Sequence, residues 1–89
     1  MASWRLVQTP EYEQAVASLA RSTRAALTDV YQILAEGPFP GESPLPVLPY
    51  AAIPSAYTVS VGEEGLVVYL VLPATRTIGL VGLIWMAET

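Results

Sequence analysis

The stretch YTVSVGEEGLVVYLVL, residues 57–72, has the pattern of two strands joined by a tight turn. Apolar and polar residues alternate over 57–61, which is typical of a strand with one buried face. Residues 62–65 read Gly-Glu-Glu-Gly, which suits a hairpin turn. Residues 66–72 are apolar at every position, which indicates a central or covered strand. The stretch therefore predicts a β-hairpin whose second strand lies inside a sheet.

The regions outside the hairpin add two more strands. Residues 73–76 (PATR) predict a second turn, and residues 77–85 predict a last strand in which Gly79 and Gly82 leave gaps beside their neighbours. Near the N-terminus, residues 3–9 (SWRLVQT) predict a short opening strand. We therefore expect a four-stranded sheet whose last three strands form an antiparallel meander.

Two helices are predicted between the opening strand and the hairpin. Thr9 suits the N-cap of the first helix and Pro10 its first position, and apolar residues recur at helical spacing as far as Leu19. Ser22 is the expected N-cap of the second helix, and Gly37 is the expected left-handed residue that ends it. The connection is short, so the helices should fold back on each other as an antiparallel hairpin.

Residues 37–54 contain six of the eight prolines, which excludes a helix or a central strand there. The segment is expected to be an extended connector that crosses the sheet edge, with Leu45 and Leu48 attaching it to the core. A docking motif is the alternative, because residues 46–49 (PVLP) fit the PxxP pattern of polyproline ligands.

The composition of the 89 residues predicts one small folded domain with a protein partner. Apolar residues make up 53% of the chain, which argues against disorder, and charged residues only 13%, about half the usual share. So few surface charges favour binding to another protein or self-association. We expect a single α+β domain over residues 1–89, with both helices on one face of the sheet.

The ionisable residues limit the possible chemistry. The net charge is −4, and the four basic residues are scattered arginines with no lysine, so binding to nucleic acid is not expected. Cysteine and histidine are absent, and the adjacent Glu63 and Glu64 are too few to hold a metal ion, so we expect no metal and no other cofactor. The apolar runs at 66–72 and 78–87 are too short to span a membrane, and no signal peptide is apparent. The sequence predicts a cytoplasmic protein without membrane contact.

Two segments resemble the RelE/ParE superfamily of bacterial type II toxins. Residues 57–85 (YTVSVGEEGLVVYLVLPATRTIGLVGLIW) follow the family's Tyr-x-Val-x-Val-Gly strand and turn, then its apolar strand, turn and final apolar strand. Residues 3–19 (SWRLVQTPEYEQAVASL) are similar to the family's opening strand and first helix. The resemblance covers nearly the whole chain and implies the order strand, helix pair, connector and three-stranded meander.

For the RNA-cleaving branch, the resemblance implies Arg, Lys, Tyr and His side chains on the concave face of the sheet and in the C-terminal tail. Cleavage needs a base for the 2′-hydroxyl, cations near the phosphate and an acid for the leaving oxygen. The family's Tyr-Arg-x-Arg/Lys pattern reads Tyr-Thr-Val-Ser at residues 57–60, so hydroxyls replace both basic side chains. Val67 or Val68 stands where the family has arginine, and the tail at 85–89 (WMAET) has no basic residue.

The other branch of the superfamily acts by binding DNA gyrase and needs no catalytic residues, but nothing in this sequence identifies gyrase as a target. In both branches, the resemblance implies an antitoxin segment laid over the sheet and the helix pair. The working hypothesis is a toxin-like component of a type II toxin–antitoxin system that is catalytically impaired and binds an antitoxin-like protein. Two alternatives stay open: a divergent ribosome-dependent mRNA interferase, and a non-enzymatic module that dimerises through its apolar sheet.

The alternatives use different residues. The interferase would use Tyr57, Ser60 and Arg76. A tyrosine acts as a base near neutral pH only where neighbouring groups lower its pKa, and the sequence offers no histidine or cation cluster to do so, so Tyr57 and Tyr69 are better explained as packing residues. Trp4 is expected to be structural. Protein binding would use the apolar residues of the last two strands and the chain end, where Trp and Met suit interface pockets. These expected partner-binding residues are Leu70, Val81, Leu83, Trp85 and Met86. Packing into the domain's own core explains Trp85 and Met86 equally well.

We expect the chain to bind RNA and DNA weakly and with little dependence on salt, because it lacks the clustered cations that release counterions from phosphates. Titration of both nucleic acids at two salt concentrations measures this. Submicromolar affinity that collapses as the salt concentration rises would contradict the prediction and would reveal a basic patch.

Overall fold

Within residues 4–41, 46–50, 53–61 and 65–85, which the computed structural model describes, five strands form one mixed sheet with two helices on one face. A short 3₁₀ turn, Pro73–Thr75, precedes the last strand. Along the chain the elements are β1 (Arg5–Gln8), α1 (Pro10–Ala17), α2 (Arg21–Glu36), β2 (Val47–Pro49), β3 (Ala56–Val61), β4 (Gly65–Leu72) and β5 (Thr77–Trp85).

The strand order across the sheet is β1-β5-β4-β3-β2. β1 runs parallel to β5, and the other neighbouring pairs are antiparallel. This confirms the expected α+β fold, in which an N-terminal strand and a helix pair precede a three-stranded antiparallel meander, β3–β4–β5. Residues 62–64 of the expected hairpin turn lie outside the described residues, and the strands on either side pair as far as Val61 and Gly65.

The fifth strand, β2, is the main difference from the four strands that the sequence pattern predicts. It lies in the proline-rich connector and pairs only with β3, at the edge of the sheet. Proline is tolerated there because an edge strand can turn a missing N–H toward solvent. The expected attachment through Leu48 is wrong, since that side chain is 64% exposed and Val47 is the residue that is buried. Leu45 lies outside the described residues.

Local chemistry explains where the helices begin. The Thr9 hydroxyl accepts a hydrogen bond from the Tyr12 N–H at 3.2 Å, so the predicted N-cap of α1 is confirmed. The predicted cap at Ser22 is wrong, because Ala20 occupies the cap position and contributes no side-chain hydrogen bond. Its carbonyl already accepts from the Arg24 N–H at 3.0 Å, which starts α2 ahead of the serine.

The end of α2 also differs from the expectation. Gly37 donates its N–H to the Leu34 carbonyl at 3.1 Å, but its backbone is extended, with φ −172° and ψ 101°, and is not left-handed. Pro38 explains the difference, because a proline ring disfavours helical geometry in the residue before it. The chain therefore leaves α2 directly in an extended conformation.

The core lies between the helices and the sheet face that they cover, which we call the helix face. α2 contributes Leu27, Val30 and Leu34 at helical spacing, and α1 contributes Tyr12. The strands contribute every second residue, as the period of a strand requires. Their buried residues on the helix face are Val47, Val59, Val61, Val67, Tyr69, Val71, Ile78 and Leu80.

Three tyrosine hydroxyls link parts of this core through two hydrogen bonds. The hydroxyls of Tyr12 and Tyr31 lie 2.7 Å apart and join α1 to α2. The Tyr69 hydroxyl donates to the Pro38 carbonyl, also at 2.7 Å, and so holds the extended chain after α2 against the middle of the sheet. Trp4 is buried and meets Phe39 edge to face at 5.8 Å, which confirms its structural role.

We expect Tyr69→Phe to lower the free energy of unfolding by about 1–2 kcal/mol, because the buried Pro38 carbonyl would lose its donor. For a chain of this size the melting temperature should fall by several degrees. Thermal unfolding followed by circular dichroism measures the change. Tyr50→Phe is the matched control, since Tyr50 is exposed and should tolerate the same loss. Equal melting temperatures for the two variants would contradict the prediction.

Candidate functional site

The sheet face that points away from the helices, called the open face below, is the candidate site. It consists of the alternate strand residues whose neighbours fill the core. Its described members are Arg5, Val7, Leu48, Ala56, Thr58, Ser60, Leu66, Val68, Leu70, Leu72, Thr77, Gly79, Gly82 and Ile84.

Cross-strand pairing arranges these residues in rows. One row runs Leu48–Thr58–Val68–Gly82, from β2 across to β5. A second row runs Ala56–Leu70–Gly79–Val7, and a third runs Ser60–Leu66–Ile84. Four large apolar side chains on this face are 45–64% exposed: Val7, Leu48, Leu72 and Ile84. The rows therefore form a surface of mainly aliphatic side chains.

The two glycines of β5 shape this surface differently. A Cβ at Gly79 would meet nothing nearer than the Leu70 Cβ at 4.0 Å, so this position leaves the predicted gap. A Cβ at Gly82 would lie 3.4 Å from the Val68 Cβ, so the sheet is closely packed there. The result is a shallow depression over β5, with Val7 on one side and Leu70 on the other.

A β-bulge divides β5. Val68 pairs with Gly82 and Tyr69 with Leu80, so Val81 is an extra residue between them. Leu80 points into the core before the bulge and Leu83 packs against the core after it. The bulge thus keeps apolar residues on the helix face along both parts of β5.

The expected partner-binding residues do not share one surface. Leu70 is half-buried on the open face, and Val81 is the half-buried bulge residue. Leu83 is on the helix face, where it packs against the core. Trp85 ends β5 opposite Gly65, and Met86 lies outside the described residues.

The three residues of the interferase alternative are also dispersed. Tyr57 is on the helix face, stacked on Tyr69 at 5.9 Å between ring centroids. Ser60 is exposed on the open face, because residues an odd number apart on a strand point to opposite sides. The Arg76 guanidinium lies 4.8 Å above the ring of Trp4, in the turn before β5. The structure does not bring these three groups to a common point.

Tyr69 is equally unsuited to proton transfer. Burial, with a smaller effect of the nearby Tyr57, raises the pKa of Tyr69 well above its usual value. Its hydroxyl therefore stays protonated and serves as the donor to Pro38. The polar side chains left on the open face are Arg5 and three hydroxyls, Thr58, Ser60 and Thr77, and Thr77 already donates to the Thr75 carbonyl at 3.1 Å. The Thr58 hydroxyl donates a long hydrogen bond, 3.5 Å, to the Leu48 carbonyl.

The electrostatics of the site are those of a neutral surface. Among the described residues of the open face, the one charged side chain is Arg5, at the β1 edge. The described ranges contain no enclosed pocket and no group of three acidic side chains that could hold a metal ion. None of the helices in those ranges is long and apolar enough to cross a membrane. The arrangement suits contact with another apolar surface, and its described residues lack the clustered cations that bind phosphate.

Sequence reasoning missed several members of the open face. Leu48 was assigned to the core, and Leu66, Leu72 and Ile84 were not singled out. The alternation in β3 is a signal that could have identified the two residues on β4, because paired strands share their faces. The position of Ile84 depends on the bulge, and the sequence carries no clear signal for it.

No protein-family model matches the sequence, and neither does any curated protein sequence. Solved structures do match. The RelE toxin of an archaeal RelE–RelB complex from Pyrococcus horikoshii OT3 aligns with a TM-score of 0.80 and 20% identity, over 100% of both chains. A chain of the intact Escherichia coli RelBE toxin–antitoxin complex aligns with a TM-score of 0.79 and 15% identity, over 97% of this chain and 99% of that chain. The isolated E. coli RelE toxin aligns with a TM-score of 0.75 and 11% identity, over 97% of this chain and 87% of that chain.

These likenesses extend over nearly the whole chain and both helices as well as the sheet. Because the sequence identities are only 11–20%, these likenesses show a shared backbone fold and nothing finer. They confirm the resemblance to the RelE/ParE superfamily at that level: this chain has the fold of the RelE toxins.

Proposed function

We propose that this chain is a toxin-like component of a bacterial type II toxin–antitoxin pair that binds an antitoxin-like protein through its open face and does not cleave RNA. The observation that carries the proposal is the character of that face, which is aliphatic and nearly free of charge.

The absence of RNA cleavage follows from the side chains on the open face. A phosphate in the transition state needs cations close to its oxygens, and the attacking hydroxyl needs a base. The two positions that carry basic residues in RNA-cleaving toxins are Thr58 and Ser60 here, and both lie on the open face. Neither hydroxyl can neutralise a phosphate. Tyr69 remains protonated in the core, so it does not supply the base.

Protein binding follows from the exposed aliphatic side chains. Val7, Leu48, Leu72 and Ile84 lie on one face and are each close to half exposed or more. Exposed apolar side chains grouped on one face of a small protein are typical of an interaction site. The rows of alternate residues on the open face would accept the apolar side of a partner helix or strand, as in other grooves that bind peptides.

The type of partner is inferred from the structural likeness. Two of the similar structures are complexes of RelE with RelB, and the E. coli complex is a toxin with its antitoxin. A partner for the present surface must be apolar where it meets the open face, and an acidic group could lie over Arg5 at the β1 edge. The best candidate is the product of a short reading frame beside this gene.

We expect Leu72→Lys and Ile84→Lys each to weaken binding to that neighbouring gene product by at least about tenfold, because an unpaired charge would be buried in the interface. Copurification and calorimetric titration with the full chain measure this. Gln32→Lys is the matched control, since it makes the same charge on the exposed side of α2. Binding that weakens equally in all three variants, or in none, would contradict the proposed interface.

We expect no codon-phased cleavage when the purified chain is added to translating ribosomes and the mRNA ends are mapped. An RNA-cleaving toxin of the same fold serves as the positive control. Cuts that disappear in Ser60→Ala, Tyr57→Phe or Arg76→Ala would show that the interferase alternative is right and that this part of the proposal is wrong.

A further inference from the structure

The two edges of the sheet are not equivalent. At the β2 edge, the Tyr50 N–H bonds to the Ala56 carbonyl, so the alternation of an antiparallel ladder turns the Pro49 nitrogen outward. A proline nitrogen has no hydrogen to donate, and this edge is therefore protected against further strands. The β1 edge, with the sequence Arg-Leu-Val-Gln, has no such protection.

Hydrogen bonding within the sheet determines which groups β1 presents at its edge. The Arg5 N–H bonds to the Arg76 carbonyl at 2.9 Å, and the Thr9 N–H bonds to the Leu80 carbonyl at 3.2 Å. In a parallel ladder alternate residues bond to the same neighbour, so Leu6 and Gln8 turn their N–H and C=O groups away from β5. Within the described residues, no backbone hydrogen bond reaches that side of Leu6 or Gln8.

The available edge is short and has defined ends. At its start, the Trp4 N–H is already bonded to the Ala35 carbonyl at 2.8 Å. At its other end, Pro10 begins α1 and has no N–H. The outward groups are therefore centred on Val7, whose side chain is on the open face and 48% exposed.

We propose that two copies of this chain pair through β1, antiparallel, with the two-fold axis at Val7. In this register Leu6 of one copy lies opposite Gln8 of the other, and the two outward-facing residues exchange four backbone hydrogen bonds across the dimer. Val7 of one copy lies opposite Val7 of the other. Arg5 lies opposite Thr9, so no like charges face each other.

A second copy fits this edge better than a shifted register or a face-to-face dimer. Centring the axis on Leu6 would place Gln8 opposite Trp4, whose N–H is already used, and would form fewer hydrogen bonds. Pairing at the edge leaves the open face accessible, so the dimer is compatible with the proposed partner but does not depend on it. The strand is short and each copy carries a net charge of −4, so the dimer should be weak and should strengthen as salt screens the repulsion.

A cysteine at the two-fold axis tests the register. The sequence has no cysteine, so Val7→Cys introduces one thiol per chain. Opposed residues of a pair without direct hydrogen bonds have Cα atoms about 4.5 Å apart, which a disulfide can span. We expect Val7→Cys to form a covalent dimer under mild oxidation much faster than Leu48→Cys, a more exposed control on the same face at the other edge. Equal rates would overturn the proposal.

Sedimentation equilibrium of the unmodified chain, at several concentrations and at moderate salt, tests the dimer directly. Gln8→Pro removes an outward N–H and leaves the ladder to β5 intact, so it should raise the dimer dissociation constant by about tenfold or more. If that variant alters the circular dichroism spectrum, Val7→Lys replaces it, because two lysines would meet at the axis. A monomer at every concentration overturns the proposal. Weakening by Leu48→Lys equal to that by Val7→Lys would show that the open faces pair, which also overturns it.

Discussion

The rest of this structure depends on the burial of β4 between two antiparallel neighbours. β4 pairs along its length with β3 and β5, and its residues on the helix face, Val67, Tyr69 and Val71, are almost completely buried. The same strand positions the chain after α2, because the Tyr69 hydroxyl holds the Pro38 carbonyl. β1 and β2 attach only to the two neighbours of β4. The helices therefore pack on a layer that exists because this strand is paired on both sides.

The sequence predicted the elements with strong periodic or capping signals. Three local signals agree with the folded structure: the alternation in β3, the apolar run of β4 and the Thr9-Pro10 start of α1. Two features depend on neighbours in space and were not predictable: β2 forms because β3 offers an edge, and the bulge at Val81 belongs to the pairing of β4 with β5. The extended Gly37 was predictable, because Pro38 follows it directly in the sequence.

The sequence predicted the chemical character of the candidate site better than it predicted which residues belong to the site. The missing basic residues at 58 and 60 are visible in the sequence, and the structure places both positions on the open face. Of the expected binding residues, Leu70 is on that face, whereas Leu83 is on the other. The alternate strand residues that face outward can differ in chemistry between proteins of one fold, since they lie outside the core between the sheet and the helices.

The bulge at Val81 has a consequence for how this chain can vary in length. Deleting or inserting one residue inside a regular strand exchanges its two faces, which would move core residues to the surface. Val81 is the exception, because Leu80 and Gly82 already pair with the adjacent residues Tyr69 and Val68. A homologue lacking this single residue would keep every later side chain of β5 on its present side. The middle of a strand, normally intolerant of such changes, is here a place where sequences of the same fold can differ in length.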